Sequence, residues 1–130
     1  MPKKRQFSKY RNKKVVIGGI TFDSQKEYEY YEQLCLRQAT GEISDLQRQV
    51  KFEIIPKGCK QETIQLKTKT KVVERFVHHP ITYTADFVYR ENGQLIVCDC
   101  KASKKFKDPV YRLKSKLMFS VLGIEIKELY

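Results

Sequence analysis

The hydrophobic side chains after residue 23 recur at helical spacing, and Tyr31 and Leu34 fall on the side expected to face a core. Ser24 precedes Glu27 by three residues, which is the capping-box pattern of a helix N-terminus. Gly41 then provides the stop signal that commonly follows a helix. The sequence therefore predicts an amphipathic helix that begins at Ser24 and ends just before Gly41.

The pattern changes to alternating apolar and polar residues over positions 43–55, which predicts a strand. A shorter apolar stretch over positions 15–22 contains Gly18-Gly19 and predicts a short strand or hairpin. Positions 57–79 contain apolar pairs separated by lysines, and they fit a basic hairpin that projects from the core.

The strongest β signal is a pair of stretches rich in β-branched and aromatic residues, at positions 81–89 and 94–101. Asn92-Gly93 lies between them and is typical of two-residue hairpin turns. The separation of Asp86 from this turn matches that of Asp99 on the other strand. The sequence therefore predicts a β-hairpin in which two acids lie side by side.

A second helix is expected next, with Pro109 in its first turn and Gly123 at its end. Four apolar residues lie at helical spacing and are expected to face the core: Val110, Leu113, Leu117 and Val121. Positions 124–129 predict a last strand. The order α-β-β-β-α-β, with short additions, predicts an α/β fold of the α+β kind, in which helices flank a small mixed sheet.

Charge adds a class of partner to this picture. The 130 residues include 26 lysines and arginines against 15 aspartates and glutamates, which gives a formal net charge of +11. A balance this basic is typical of proteins that bind a polyanion, most often nucleic acid. Positions 1–14 predict a basic arm, and positions 15–130 predict a single domain.

Other classes of protein find little support. A membrane span needs about 18 consecutive apolar residues, and the sequence has no such run. The basic N-terminus is not followed by the apolar region of a secretory signal, so we expect a cytoplasmic protein. Neither the four cysteines nor His78-His79 match the spacing of a zinc module.

The predicted hairpin also brings together reactive groups. Alternate side chains share a strand face, so Asp99 and Lys101 point one way while Cys98 and Cys100 point the other. With Asp86 nearby, two acids and a lysine gather in an apolar hairpin, where buried charges need partners or a metal. One interpretation is a salt-bridged cluster that satisfies itself, and the other is a catalytic site.

Phosphodiester hydrolysis uses groups of this kind. Mg²⁺ prefers oxygen ligands, which Asp86, Asp99 and the backbone carbonyl of Cys100 would supply. Lys101 would position the attacking water or neutralise the charge that develops on phosphorus. These residues are the candidates for the metal site and for catalysis.

The motif Ala85-Asp86, twelve residues, Asp99-Cys100-Lys101 resembles that of the PD-(D/E)XK nuclease superfamily. More closely, the chain from about Phe22 onwards resembles a phage-encoded family long labelled only as a domain of unknown function and related to Holliday junction resolvases. Three other stretches belong to the resemblance: Ser24 through Glu27, Gly41 through Leu46, and Val110 through Lys114. Ala85 replaces the proline of the motif, Asp99 replaces the more frequent glutamate, and positions 57–79 depart most.

This resemblance implies a restriction-endonuclease-like αβββαβ core and a Mg²⁺-dependent DNA endonuclease, with Mn²⁺ as a substitute ion. The expected substrate is branched or duplex DNA in phage recombination or replication. A homodimer is one option, and neither a membrane nor a small-molecule cofactor is expected. The alternative is a nucleic-acid-binding or regulatory phage protein that has this fold and does not cleave.

Two further expectations concern individual residues. In resolvase-like relatives a glutamate of the first helix completes the metal site, and Glu27 holds that position; the alternative is a helix cap without a catalytic role. Basic residues outside the motif are expected to contact phosphates, with plain solvation as the alternative. They are Lys13, Lys14, Lys67, Lys69, Lys71, Lys104, Lys105, Lys107, Arg112, Lys114 and Lys116.

Overall fold

Two helices pack against opposite faces of a mixed sheet in the computed structural model, which describes residues 14–101 and 108–130. The elements in chain order are β1 (Val15–Ile17), β2 (Ile20–Phe22), α1 (Gln25–Ala39), β3 (Ser44–Ile55), β4 (Gly58–Gln65), β5 (Thr70–His78), β6 (Ile81–Glu91), β7 (Gln94–Cys100), α2 (Pro109–Leu122) and β8 (Lys127–Leu129).

The main sheet has four strands in the order β3-β6-β7-β8. Its β3-β6 and β6-β7 pairs are antiparallel, whereas β8 runs parallel to β7 after the crossover through α2. Two separate hairpins, β1-β2 and β4-β5, are added to this core. The predicted α+β class and the αβββαβ order of the core are confirmed.

The first helix begins and ends where its sequence signals lie. The Ser24 side chain accepts a hydrogen bond from the Glu27 backbone N–H at 3.1 Å, which satisfies one of the free donors at the N-terminus. Gly41 follows the C-terminus with a φ of 83°, a left-handed conformation that favours glycine. Leu34 is buried and Tyr31 packs against the core, as predicted.

Two hydrophobic clusters lie on the two sides of the sheet. The first packs below α2 and contains Tyr83, Ala85, Val88, Val97, Tyr111 and Met118, among others. The second packs below α1 and contains Leu34, Ile43, Phe87, Tyr89 and Cys98. Consecutive residues Val97 and Cys98 fall in different clusters, which is the alternation expected of a strand covered on both faces.

The prediction for the buried face of α2 is right for Leu117, which packs against the core, and wrong for the other three residues. Val110, Leu113 and Val121 are 58%, 57% and 51% exposed, whereas Met118 is fully buried and Tyr111 is 9% exposed. The helix is therefore rotated by about one residue from the orientation that apolar spacing predicts. Packing of the large Tyr111 ring beside Tyr83, at 6.4 Å between ring centroids, accounts for this orientation.

Several predicted features fall on residues that are not described. The basic arm over positions 1–14 lies outside the described residues except for Lys14, which is exposed. The same is true of Lys104, Lys105 and Lys107 in the connection before α2. Within residues 14–101 and 108–130, neither helix is long and apolar enough to cross a membrane.

The rotation of α2 predicts different consequences for two apolar substitutions on the same helix. We expect Met118→Ala to lower the free energy of unfolding by about 2–5 kcal/mol, because it leaves a cavity in a filled core. Leu113→Ala should change it by less than about 0.5 kcal/mol, since that side chain is mostly solvated. Urea unfolding of both variants measures this, and equal losses would restore the orientation predicted from spacing.

Candidate active site

The candidate site lies where the two central strands separate. The strands β6 and β7 pair from Glu91–Gln94 at the turn to Phe87–Cys98. Continuation of this register makes Asp86 level with Asp99, as the turn position predicts, but the backbone ladder ends there. Instead, the backbone N–H of Cys100 donates a hydrogen bond to Asp86 Oδ2 at 2.8 Å. A carboxylate thus replaces a main-chain acceptor at the point where the strands part.

The strands β3 and β6 both change face at this point. Ala85 packs in the cluster below α2, whereas Phe87, two residues later, packs in the cluster below α1. Residues two apart share a face in a regular strand, so β6 rotates at Asp86. In β3 the residue opposite Asp86 is Gln49, which has a φ of 51° and lies outside the ladder between Arg48–Phe87 and Val50–Ala85. The left-handed conformation of Gln49 therefore rotates β3 at the same level at which β6 rotates.

Gln49 joins two carboxylates across this break. Its side-chain amide donates to Glu27 Oε1 at 3.1 Å and to Asp86 Oδ1 at 3.3 Å. Arg48, the residue before it, places its guanidinium 3.5 Å from Glu27 Oε1 and 4.2 Å from the centre of the Phe22 ring. These contacts connect the first turn of α1 to the interruption in the β3-β6 ladder.

Glu27 serves the helix terminus and the site at the same time. It is 2% exposed, and its Oε2 accepts a hydrogen bond from the backbone N–H of Asp23 at 3.1 Å. The other oxygen, Oε1, faces Gln49 and Arg48. The capping interaction and an orientation toward Asp86 are thus compatible, because they use different oxygens. Burial raises the pKa of Glu27, against the lowering effect of the Asp23 hydrogen bond.

Three carboxylates lie close enough together to bind one cation. Oxygen atoms of Asp23, Glu27 and Asp86 lie within 4.8 Å of one another. Burial, together with the charges of Asp99 and Glu27, raises the pKa of Asp86 to about 7, against the lowering effect of the hydrogen bond from Cys100. An all-oxygen set with this much unfavourable negative charge fits a hard divalent ion such as Mg²⁺. The residues present therefore fit the predicted group, with Asp23 as an unpredicted member.

Asp99 and Lys101 form an ion pair on the side of the sheet below α2. Lys101 Nζ lies 3.1 Å from Asp99 Oδ1, and the Tyr83 hydroxyl donates to Asp99 Oδ2 at 2.5 Å. The ammonium group also lies 3.2 Å from the centre of the Tyr111 ring, a cation–π contact. The predicted pairing of Asp99 with Lys101 on one face is confirmed. Asp99 is not among the three clustered carboxylates, and its role as a metal ligand stays a prediction.

Cys100 lies between the two parts of the site. Burial raises the pKa of its thiol, and the charges of Asp86, Glu27 and Asp99 raise it further, so all three carboxylates act on this one position. Cys98 and Cys100 pack toward α1, as predicted. The proposed contribution of the Cys100 backbone carbonyl to a metal site stays a prediction.

The predicted phosphate contacts occupy several separate surfaces. Lys67, Lys69 and Lys71 are exposed on the β4-β5 hairpin. On α2, Arg112 and Lys116 are exposed, while Lys114 is half-buried. Lys14 is exposed before β1, and Lys13, Lys104, Lys105 and Lys107 lie outside the described residues.

Among the described residues, five with structural roles at the site are not sequence candidates: Asp23, Arg48, Gln49, Tyr83 and Tyr111. Asp23 adjoins the capping box, so its position in the sequence indicates only the helix start. Gln49 occupies a polar position in the alternation of β3, where an exposed glutamine is ordinary. Its left-handed backbone, which would have distinguished it, has no signal in a sequence without glycine or asparagine at that position.

The comparisons with known proteins add a family. A family model described as "Protein of unknown function (DUF1064)" matches residues 7–127. Searches of curated proteins and of solved structures found no match. The family description assigns no activity, so function has to be argued from the site itself.

The left-handed backbone of Gln49 predicts an inverted ranking of two substitutions. Glycine in a strand is normally less stable than alanine, but here alanine must adopt a φ of 51°. We expect the free energy of unfolding of Gln49→Gly to exceed that of Gln49→Ala by about 1 kcal/mol. Both variants lose the side-chain amide, but only alanine is strained in the left-handed conformation. Urea unfolding compares them, with the exposed Gln47 substituted in the same way as the control. The usual ranking at both positions would contradict the assigned conformation.

The raised pKa of Asp86 predicts that, without divalent ions, the variant Asp86→Asn gains thermal stability relative to the native chain as the pH rises. A folded-state pKa of about 7, above the ordinary 3.8, favours the protonated form in the fold. That contribution to stability is complete below about pH 4 and is lost as pH rises through 7. The melting temperature of Asp86→Asn relative to the native chain should therefore rise between pH 5 and pH 8.

The exposed Glu125, in the loop between α2 and β8, provides a matched control. Glu125→Gln should show no comparable trend in the presence of a chelator, because its carboxylate is already solvated. A melting-temperature difference for Asp86→Asn that does not change with pH would contradict the argument.

Proposed function

We propose that this chain, which belongs to the DUF1064 family, is a divalent-metal-dependent endonuclease that hydrolyses phosphodiester bonds in DNA. The observation that carries the proposal is a carboxylate cluster from α1 and β6 at the level of Asp99, whose ion pair with Lys101 lies on the neighbouring strand. Glu27 comes from the helix, Asp86 from β6, and Asp99 with Lys101 from the end of β7. The formal net charge of +11 supports a polyanionic substrate.

The acids support the proposal because their arrangement is unfavourable without a cation. Glu27 is almost fully buried, Asp86 has a pKa raised to about 7, and Asp23 adds a third carboxylate. A cluster kept for stability alone would be expected to pair these charges more fully, since unpaired buried charge destabilises a fold by several kcal/mol. When bound, Mg²⁺ or Mn²⁺ would supply positive charge at the phosphate and an activated water.

The remaining groups have roles in the hydrolytic step. Water attacks phosphorus, the bond from phosphorus to the leaving oxygen breaks, and that oxygen takes up a proton. The ammonium group of Lys101 stabilises the negative charge that builds up on the phosphate oxygens. Asp99 and the Tyr111 ring hold that ammonium group in place, and Tyr83 holds Asp99. Glu27 and Asp86 are the proposed ligands, with Asp23 beside them.

Branched DNA is the proposed substrate, in phage recombination or replication. This part of the proposal comes from the motif resemblance, with its resolvase-like glutamate on the first helix. Symmetric cleavage of a four-way junction requires two active sites, so the proposal includes a homodimer. A monomer would favour cleavage of flaps or nicks.

A second candidate is a nucleic-acid-binding protein of the same fold that does not cleave. One observation favours it: both oxygens of Asp99 already have partners, Tyr83 and Lys101. An ion pair that satisfies itself in this way needs no metal. Binding would then be sensitive to salt and independent of divalent ions.

Cleavage assays separate the two candidates. Synthetic four-way junctions, flaps and linear duplex are incubated with the native chain in Mg²⁺ or Mn²⁺. We expect cleavage of at least one branched substrate, and a loss of about 100-fold or more in rate for Asp99→Ala, which removes the partner of Lys101. Glu27→Gln should lose activity in the same way because it replaces one proposed ligand.

Glu29 provides the matched control for the helix, since it is exposed on α1 two residues from Glu27. Glu29→Gln should cut at the native rate, and a chelator should stop cleavage by the native chain. Intact substrates under all conditions would reject the nuclease in favour of the binding protein. An Asp99→Ala variant that cuts as fast as the native chain would reject the assigned active site.

A further inference from the structure

The β4-β5 hairpin is a sheet of its own that extends from the main sheet. Its strands have eight and nine residues and form a separate two-stranded sheet. In the chain, this hairpin follows β3 and precedes β6. At about 3.4 Å per residue, β4 is about 27 Å long. At its base the ring of His78 lies 2.0 Å from where a Cβ on Gly58 would be, so a larger residue there would displace that ring. A long element of this kind needs a physical explanation.

The register of the hairpin places the cations of both strands on one face. Opposite residues in an antiparallel pair share a face, and the ladder pairs Lys60 with Arg75 and Ile64 with Lys71. Lys69 lies opposite Leu66, whose backbone N–H donates to the Lys69 carbonyl at 2.8 Å. We call this the cationic face; its members are Lys60, Glu62, Ile64, Leu66, Lys69, Lys71, Val73 and Arg75.

The ion pairs of the hairpin agree with this assignment. Glu62 contacts both Arg75 and Lys60, the latter at 3.3 Å, which places all three on the same side. Ile64 and Val73 on the same face are half-buried, as is Glu62. Lys71 is exposed beyond them and so presents its charge to solvent.

The opposite face of the hairpin has a different chemistry. It contains Cys59, Gln61, Thr63, Gln65, Thr70, Val72, Glu74 and Phe76, and none of these is a cation. A hairpin with its charge distributed for solubility alone would have no reason to place every lysine and arginine of the two strands on one side. The segregation therefore indicates a charged partner that meets one face.

We infer that the cationic face binds the phosphate backbone of double-stranded DNA. This inference rests on the proposed function for its choice of nucleic acid as the polyanion. Lysine and arginine side chains bind phosphates without reading sequence. The side-chain amides of Gln61 and Gln65, which are groups able to read bases, lie on the other face.

The composition of the face favours a duplex over a single strand. Proteins that bind single strands place aromatic side chains where bases stack. The aromatic residue of the hairpin strands, Phe76, lies on the opposite face and contacts His79 instead, at 4.7 Å between ring centroids. The cationic face has no aromatic side chain; its one acid, Glu62, is paired with Lys60 and Arg75, so Lys69 and Lys71 remain to meet the phosphates of a duplex.

A composition-matched exchange tests the inference. The variant Lys69→Gln with Lys71→Gln removes two charges from the cationic face. A second variant adds Gln61→Lys and Gln65→Lys, which restores composition and net charge but moves the charge to the other face. Binding of the full chain to labelled duplex DNA is measured by fluorescence anisotropy between 50 and 200 mM salt, in a chelator so that nothing is cut.

We expect both variants to lose a slope of about 2 in the plot of log affinity against log salt, since each lost phosphate contact contributes about 0.9. A native slope in the exchanged variant would show that net charge alone matters and would overturn the inference. A native slope in the first variant would overturn it as well. A greater loss on a single-stranded oligonucleotide than on duplex would reject the duplex as partner.

The same proteins distinguish this inference from the proposed function. In one outcome, the native chain cuts junctions in Mg²⁺ while the hairpin variants keep the full salt slope. That result would reject the inference and would still support the nuclease. Reduced slopes with no cleavage under any condition would support the hairpin as a duplex-binding element and reject the nuclease. Circular dichroism of both variants, expected to match the native chain, shows that the hairpin has kept its fold.

Discussion

The break in the β3-β6 ladder at Gln49 and Asp86, next to the point where β6 and β7 separate, is the constraint on which the site depends. A regular β3-β6-β7 sheet would pair every backbone group there and present side chains to the two covered faces. The left-handed backbone at Gln49 and the rotation at Asp86 interrupt that ladder, and the Asp86 carboxylate takes over as acceptor for the Cys100 N–H. The interruption leaves an opening into which the first turn of α1 places Glu27.

Electrostatic repulsion between carboxylates makes this part of the structure sensitive to whether a cation or a proton is bound there. The carboxylates of Glu27 and Asp86 lie close together, partly buried, and share one neutral donor in Gln49. Arg48 approaches Glu27 to 3.5 Å and offsets part of the charge. The raised pKa of Asp86 shows that this compensation is incomplete. A cation or a bound proton completes it, so occupancy, pH and stability are coupled at this one place.

The sequence was sufficient wherever a signal is local. Asn92-Gly93 sets the register that brings Asp86 level with Asp99, and Ser24 with Glu27 defines the start of α1, because turns and caps depend on a few adjacent residues. Period-two spacing likewise predicted that Asp99 and Lys101 share a face.

Features that depend on three-dimensional packing were not accessible in the same way. The orientation of α2 follows the fit of Tyr111 beside Tyr83, which helical spacing of aliphatic residues does not contain. The contribution of Gln49 depends on a residue opposite it in a different strand and on a φ that glutamine rarely adopts.

The position of the β4-β5 hairpin links the charge of the chain to this opening. The hairpin is inserted between β3 and β6, the two strands that change face at Gln49 and Asp86, so it extends from the same strand pair that forms the site. Under the proposed function, the acids at the site would repel a phosphate backbone on their own, and attraction by a basic element carried on the same strand pair would offset that repulsion. The cationic face would in this way reduce the electrostatic problem that the carboxylates create.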